Sequence, residues 1–137
     1  MMKLKDYFEN ARGIGVLATS DRKGRVNAAV YARPHFFGAQ KAVFIMGDRL
    51  TRKNLGENPL AVYLFIKSGT KSEGKRLYLK KTGEEKNAML IKKLRRKADS
   101  RTPEKSGRES KFLVYFQVEK VLSLTGVARV REKQKRR

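Results

Sequence analysis

Short apolar or alternating runs, cut by turn residues, dominate this chain and predict a mainly β protein. Residues 14–19 (IGVLAT) form a first strand. The polar SDRKG then turns the chain into a second at 25–33 (RVNAAVYAR), which Pro34 ends. Residues 42–46 (AVFIM) make a short buried strand, broken by Gly47 and Asp48. The run 60–66 (LAVYLFI) is the most apolar and has the length of a central strand. After the loop KSGTKSEG, residues 75–80 (KRLYLK) alternate like a half-exposed strand. Residues 111–122 set Phe112, Val114, Phe116 and Val118 against Leu113, Tyr115, Gln117 and Glu119. That is a long strand with one dry face, continuing with a bend through 123–130.

Helical spacing occurs in three places. Leu4, Tyr7, Phe8 and Ala11 share one face of a helix over 3–12, with Gly13 as its C-cap. Asp48 is placed to cap a short helix in DRLTRKNLGENP, which Gly56 and Pro59 close. Thr82 and Glu85 have capping-box spacing and predict a helix over 83–98. Leu90, Ile91, Leu94 and Ala98 would share its face, with the cations Lys86, Lys92, Lys93, Arg95, Arg96 and Lys97 mostly elsewhere. Residues 99–110 have the composition of a loop, and 131–137 (REKQKRR) that of a fraying basic tail. Six or seven strands with short connections predict a small antiparallel β-barrel with peripheral helices. The 137 residues suffice for one domain, placed at 1–130 ahead of the tail.

Charge changes the picture. The chain carries 34 basic and 13 acidic side chains, net +21. The excess is uneven, 12 against 5 in residues 1–70 and 22 against 8 in 71–137. It favours anionic partners, from phosphorylated small molecules to polyanions, and leaves a nucleic-acid-binding reading open for the C-terminal half. A basic surface that only maintains solubility explains the same charge. Phe112, Tyr115 and Phe116 could stack on bases, but their alternation sends some of them into the core.

Other chemistry is excluded by composition. There is no cysteine, hence no disulfide framework, thiolate metal site or cysteine nucleophile, which fits a cytoplasmic protein. No run of about 18 apolar residues predicts a membrane span, and the charged residues 1–12 do not read as a secretory signal. His35, the one histidine, has no metal-ligand grouping beside it and follows Pro34 at a strand end, so a turn role outweighs a catalytic one. Gly13 and Gly15 are spaced like the start of a dinucleotide fingerprint, without its third glycine or βαβ context. No side-chain constellation for acid–base or nucleophilic catalysis is present.

Two places carry positive chemistry. Arg49, Thr51, Arg52 and Lys53 follow an apolar strand at a helix start, where free N–H groups, forked guanidinium donors, a hydroxyl and a point charge could grip a small anion. Not all four can face one anion. In the second strand, Ala28 and Ala29 are small enough for a flat group to lie against the backbone. Asn27 could bond a ring edge or a neighbouring strand, and Tyr31 could stack or pack.

The segments VNAAVYARPHFF, FIMGDRLTRKNLGENPLAVYLF, EGKRLYL and LVYFQVEKVLSLTG resemble the pyridoxamine 5'-phosphate oxidase-like family, the FMN-binding split barrels. The resemblance spans roughly residues 5–126. It implies a six- or seven-stranded antiparallel split barrel, a homodimer with FMN at the subunit interface, and redox chemistry carried by the flavin ring rather than by a side chain. The matched positions are Asn27, Ala28, Ala29, Val30, Tyr31, Ile45 and Met46 for the ring, and Arg49, Thr51, Arg52 and Lys53 for the phosphate. The end REKQKRR does not match the arginine motif that closes pyridoxamine phosphate oxidases on their substrate, so the expected activity is a flavin-dependent oxidoreductase on another small molecule. A flavin carrier or sensor without turnover stays open, as do F420 or haem in place of FMN.

Overall fold

A computed structural model of the chain describes residues 3–95 and 111–125. The elements run α1 (Leu4–Asn10), β1 (Gly13–Ser20), β2 (Val26–Val30), β3 (His35–Phe36), β4 (Lys41–Gly47), α2 (Leu50–Glu57), β5 (Leu60–Lys67), β6 (Gly74–Glu85), α3 (Ala88–Leu94) and β7 (Lys111–Ser123). All seven strands join one antiparallel sheet in the order β2-β1-β5-β6-β7-β4-β3. The expected mainly β, antiparallel barrel with peripheral helices is what forms.

Curvature follows from connectivity. The sheet's two edges, β2 and β3, are consecutive in sequence, with only residues 31–34 between them. Seven strands laid flat would hold those edges about 29 Å apart at the usual strand spacing. The five peptide steps from Val30 to His35 reach at most about 18 Å. The sheet must therefore curl until its edges approach, which is the split barrel.

The crossing is tied down at both ends. Tyr31 donates its backbone N–H to the Gly15 carbonyl at 2.9 Å and accepts the Tyr63 hydroxyl on its own carbonyl at 3.0 Å. Gly15 must be glycine there, because a Cβ would overlap the Tyr63 ring and hydroxyl. Gly13 is held the same way by the Ile66 carbonyl, so the two glycines serve close packing. At the other end Arg33 Nη1 donates to the carbonyls of Phe8, at 2.9 Å, and Ala11. These are orphan carbonyls at the C-terminus of α1, where a cation is favoured.

Phe8 carries α1 into the main core with Leu17, Phe44, Tyr63, Phe65 and Phe116, all fully or almost fully buried. Each such side chain contributes about 1.5–3 kcal/mol by leaving water. A second cluster lies on the opposite face of β4 and β7, where Ile91 of α3 covers Val43 and Leu113. Phe112 and Phe116 are buried and Tyr115 donates its hydroxyl to Glu85 at 2.6 Å, so β7 presents no stacking platform for bases. Among the described residues, no helix is long and apolar enough to cross a membrane.

Several local expectations are overturned. Gly13 does not cap α1: Ala11 is the C-cap, and Gly13 already pairs with Lys67 in β1. Asp48 does not cap α2: Arg49 holds the N-cap position, with no capping bond from its side chain to the helix, and Asp48 pairs with Arg52 instead. That helix runs through Gly56 to Glu57. The second strand ends at Val30, and the two-residue β3 was not foreseen. Thr82 and Glu85 start no helix, because β6 continues to Glu85 against Leu113–Phe116 of β7. Thr82 donates to the Tyr115 carbonyl at 3.3 Å, and helix α3 begins six residues later behind Asn87, whose side chain accepts from Leu90 N–H. Long-range pairing has outweighed a local capping signal. The predicted face position Ala98, the loop 99–110 and the tail 131–137 lie outside the described residues.

The lock on the crossing is testable by urea unfolding. Gly15→Ala should lower stability by about 1–3 kcal/mol through overpacking, and Tyr63→Phe by about 0.5–1.5 kcal/mol through one lost hydrogen bond. A wild-type midpoint for Gly15→Ala would mean that the Tyr63 ring is not packed against β1.

Candidate functional site

A cavity of about 230 Å³ opens where the crossing passes β4. Val30, Tyr31 and Ala32 form one wall and Ile45 another. His35, 8% exposed, sits at the base of the crossing, its register partner being Val43. Arg33, Arg95 and Lys111 complete the lining, and no carboxylate is among these described residues. Arg95 is the C-cap of α3, and Lys111 begins β7 opposite Gly47. The cavity lining thus combines apolar and basic residues.

The expected ring residues divide. Strand alternation puts Ala28 and Val30 on the exposed face of β2 and Asn27 and Ala29 on the half-buried one, so the run 27–31 cannot line a single surface. Val30, Tyr31 and Ile45 are brought together in the cavity. Asn27, Ala28, Ala29 and Met46 are not among its lining. Met46 is 1% exposed, because alternation along β4 puts it with Ala42 and Phe44 in the main core. Both backbone groups of Tyr31 are engaged in the fold, and its ring packs edge-on to Phe44 against the main core, 6.2 Å between centroids.

The expected anion corner also divides. Arg49 and Lys53 are exposed and one helical turn apart, with Lys53 N–H bonded to the Arg49 carbonyl at 3.0 Å. Thr51 is buried with Asn54, whose amide donates to the Thr19 hydroxyl at 3.2 Å. Arg52 lies over the Phe112 ring with its guanidinium carbon 3.6 Å from the centroid. It donates to Asp48 at 2.9 Å, to Glu84 Oε1 at 3.2 Å and to Glu84 Oε2. Lys81 adds a bond to Glu84 at 3.1 Å. Arg52 is therefore an internal clamp between α2 and the end of β6. The corner adjoins the cavity through Gly47, which leads into Asp48 and pairs with Lys111.

Sequence reasoning missed Arg33, His35, Arg95 and Lys111 as lining residues. In the sequence Arg33, Arg95 and Lys111 stand only as a strand end, a helix cation and a strand start, and nothing local says that the last two converge on residues 30–35.

A third feature borders the cavity. The outward face of β2, β1 and β5 is apolar and exposed: Val26 is 82%, Val30 74% and Ile14 62% accessible. Cross-strand pairs continue it, Val30 with Val16 and Leu64, and Ala28 with Ala18 and Val62. Val30 belongs both to this face and to the cavity wall.

The chain is similar in structure to several solved proteins. An FMN-binding protein from Syntrophomonas wolfei subsp. wolfei superposes with a TM-score of 0.71 at 21% identity, covering 89% of this chain and 84% of that one. A candidate pyridoxamine 5'-phosphate oxidase from Lactobacillus delbrueckii gives 0.60 at 14% identity, covering 89% and 93%. The heme storage protein HutZ from Vibrio cholerae gives 0.58 at 19% identity, covering 89% and 95%. No protein-family model matches the sequence, and no curated protein does. The fold is that of the pyridoxamine 5'-phosphate oxidase-like split barrels.

The clamp has a pH signature. Hydrogen bonding by Arg52, foremost, holds the Glu84 carboxyl below its ordinary value of 4.5. A depressed folded-state value means that the pair's stabilisation is present above the unfolded value and lost as pH falls through the folded one. Urea midpoints for Glu84→Gln should therefore fall below wild type at pH 7 and converge with it as pH falls through the depressed folded-state value. An offset that stays constant down the acid limb would show that the Glu84 charge does not hold Arg52.

Proposed function

We propose that this chain is an FMN-binding redox protein, a flavin-dependent oxidoreductase of the pyridoxamine 5'-phosphate oxidase-like class that works on a small molecule as a homodimer. The observation that carries the reading is the double role of Val30. It lines the cavity and stands exposed on an apolar sheet face, so a second copy seated on that face would close the cavity as well. Complete small-molecule sites usually enclose about 300–1,000 Å³. The 230 Å³ on one chain is what half of a shared site would have.

The residues suit the cofactor. Val30, Ile45 and the stretch of chain at Tyr31 and Ala32 give an apolar wall for an isoalloxazine. Arg49 and Lys53, exposed beside the first turn of α2, give the phosphate cations and backbone donors. Thr51 and Arg52 shape the corner from behind: one is buried and the other is held by Glu84 and Asp48. When bound, FMN supplies the hydride or electron exchange. The chain's part is to orient the ring, exclude water from one side and keep positive charge near it. The fold relatives include proteins named for FMN and for heme, and His35 lines the cavity, so haem is the competing ligand.

The spectrum of the purified protein separates them. A flavin spectrum, as isolated or after adding FMN, is expected; a Soret band without flavin would replace FMN by haem. In Arg49→Ala/Lys53→Ala, FMN affinity should fall about tenfold or more while riboflavin affinity holds, since two charge-assisted contacts to phosphate are lost. An equal fall for both would remove the phosphate from that corner.

Assembly is tested separately. Sizing should give twice the chain mass. Ile14→Glu and Val26→Glu should each yield folded monomers with weakened flavin retention. Monomers that keep flavin as tightly as wild type would refute a shared site.

A further inference from the structure

We infer that α3 is a lid on the cavity. It is hinged at the end of β6, latched by Ile91 and drawn shut by an occupant through Arg95. The inference rests on the flavin reading for the identity of the occupant, but not for the existence of the lid.

The hinge is held on the barrel. Strand β6 stays paired with β7 up to Glu85, opposite Leu113. Glu85 accepts the Tyr115 hydroxyl at 2.6 Å, and the Lys86 ammonium lies 5.4 Å from the centre of the Phe112 ring. Asn87 then caps the helix by accepting from Leu90 N–H at 3.0 Å. Beyond that cap the anchorage thins. Of the seven residues of α3 only Ile91 is buried, while Ala88, Met89, Lys92 and Lys93 are exposed. A helix this short does not persist alone in water, so α3 depends on the one side chain that docks it.

The latch is separate from what holds the barrel together. Ile91 seats on Val43 and Leu113, on the face of β4 and β7 opposite the main core. The helix can therefore leave without opening that core, which is the condition for local rather than global unfolding. Ile45 packs against the latch cluster and also lines the cavity. Arg95, the C-cap of α3, lines it too. Withdrawal of Ile91 thus removes one side of the cavity. An occupant that touches Arg95 does so only with the helix docked, and such a difference in contact is what lets a ligand shift a two-state equilibrium. Burial of Ile91 alone explains why α3 packs on the sheet; it does not explain why its C-cap reaches the lining.

The test is amide hydrogen exchange on the full chain, free and saturated with FMN, together with the rates of FMN binding and release. In the free protein the amides of Ile91 and Arg95, bonded to the Asn87 and Ile91 carbonyls, should exchange about a hundredfold or more faster than those of β5, which is paired on both edges. FMN should slow the α3 amides about tenfold or more in wild type, and far less in Arg95→Gln. Ile91→Ala should speed α3 exchange about tenfold or more, and should speed both binding and release of FMN. Ile91→Val, made in case the alanine variant does not fold, should move the same quantities less. Faster release with unchanged binding would make α3 a fixed wall and overturn the lid. Equal protection by FMN in Arg95→Gln overturns the pull through Arg95. Should the protein take up no flavin, exchange in the free protein decides. Opening of α3 ahead of β5 keeps the lid while the flavin reading fails, and opening of α3 only together with β5 ends both.

Discussion

Everything specific about this barrel depends on four residues, 31–34, having to join the two edges of a seven-stranded sheet. Closure is a length constraint before it is an energy. What the side chains add is position. Tyr63 reaches from the core to the Tyr31 carbonyl, Gly15 leaves the room for it, and Arg33 bonds the far side of the crossing to α1. The crossing is thereby fixed as a cavity wall while still lying at the sheet's rim. A strand edge with unpaired backbone groups is ordinarily a hazard. Here the rim meets a cavity and an apolar face, and both become usable.

The sequence carried the strands well because their patterns are strong and local. The Phe112–Val118 alternation and the run at 60–66 are read directly from side-chain period, and both lie where expected. It carried the helix boundary at 82–88 badly for an equally physical reason. Thr82 with Glu85 is a sound cap by spacing, yet the same residues satisfy Tyr115 across thirty positions of sequence. Two local solutions compete, and the one that adds a length of paired strand wins. Gly13 and Gly15 show the converse. Their spacing invites a ligand motif or a cap, whereas their use is to let the Ile66 carbonyl and the Tyr63 ring come close.

The candidate site was legible only as far as it is built from neighbours in sequence. Val30 and Tyr31 are adjacent, and Ile45 lies on the strand that a short barrel must bring near them. Arg52 could not be judged from its neighbours, because Glu84, which occupies it, lies 32 residues away. Met46 failed as a ring contact because it falls on the core face of β4 with Ala42 and Phe44, while Ile45, one position earlier, falls on the other face. Arg95 and Lys111 were invisible as lining residues of one cavity, since Ile91 lays α3 on β4 and β7 and register pairs Lys111 with Gly47, neither of which a charge pattern records.

Charge distribution and assembly are coupled by the same geometry. Bringing together two chains of net +21 is opposed by their mutual repulsion, which salt screens beyond a Debye length of about 8 Å. The face proposed for contact meets that cost by position: Ile14, Val26 and Val30 dominate its β2–β1 side, while Arg76, Lys80 and Lys120 lie towards β6 and β7. An anion held beside Arg49 and Lys53 would lower the remaining repulsion from within the proposed shared site. Under linkage, anything that binds the paired form better than the single chain strengthens pairing by the same free energy. Under the proposed pairing, occupancy of the cavity and association of the chains would be one equilibrium, meeting at the open wall formed by Val30.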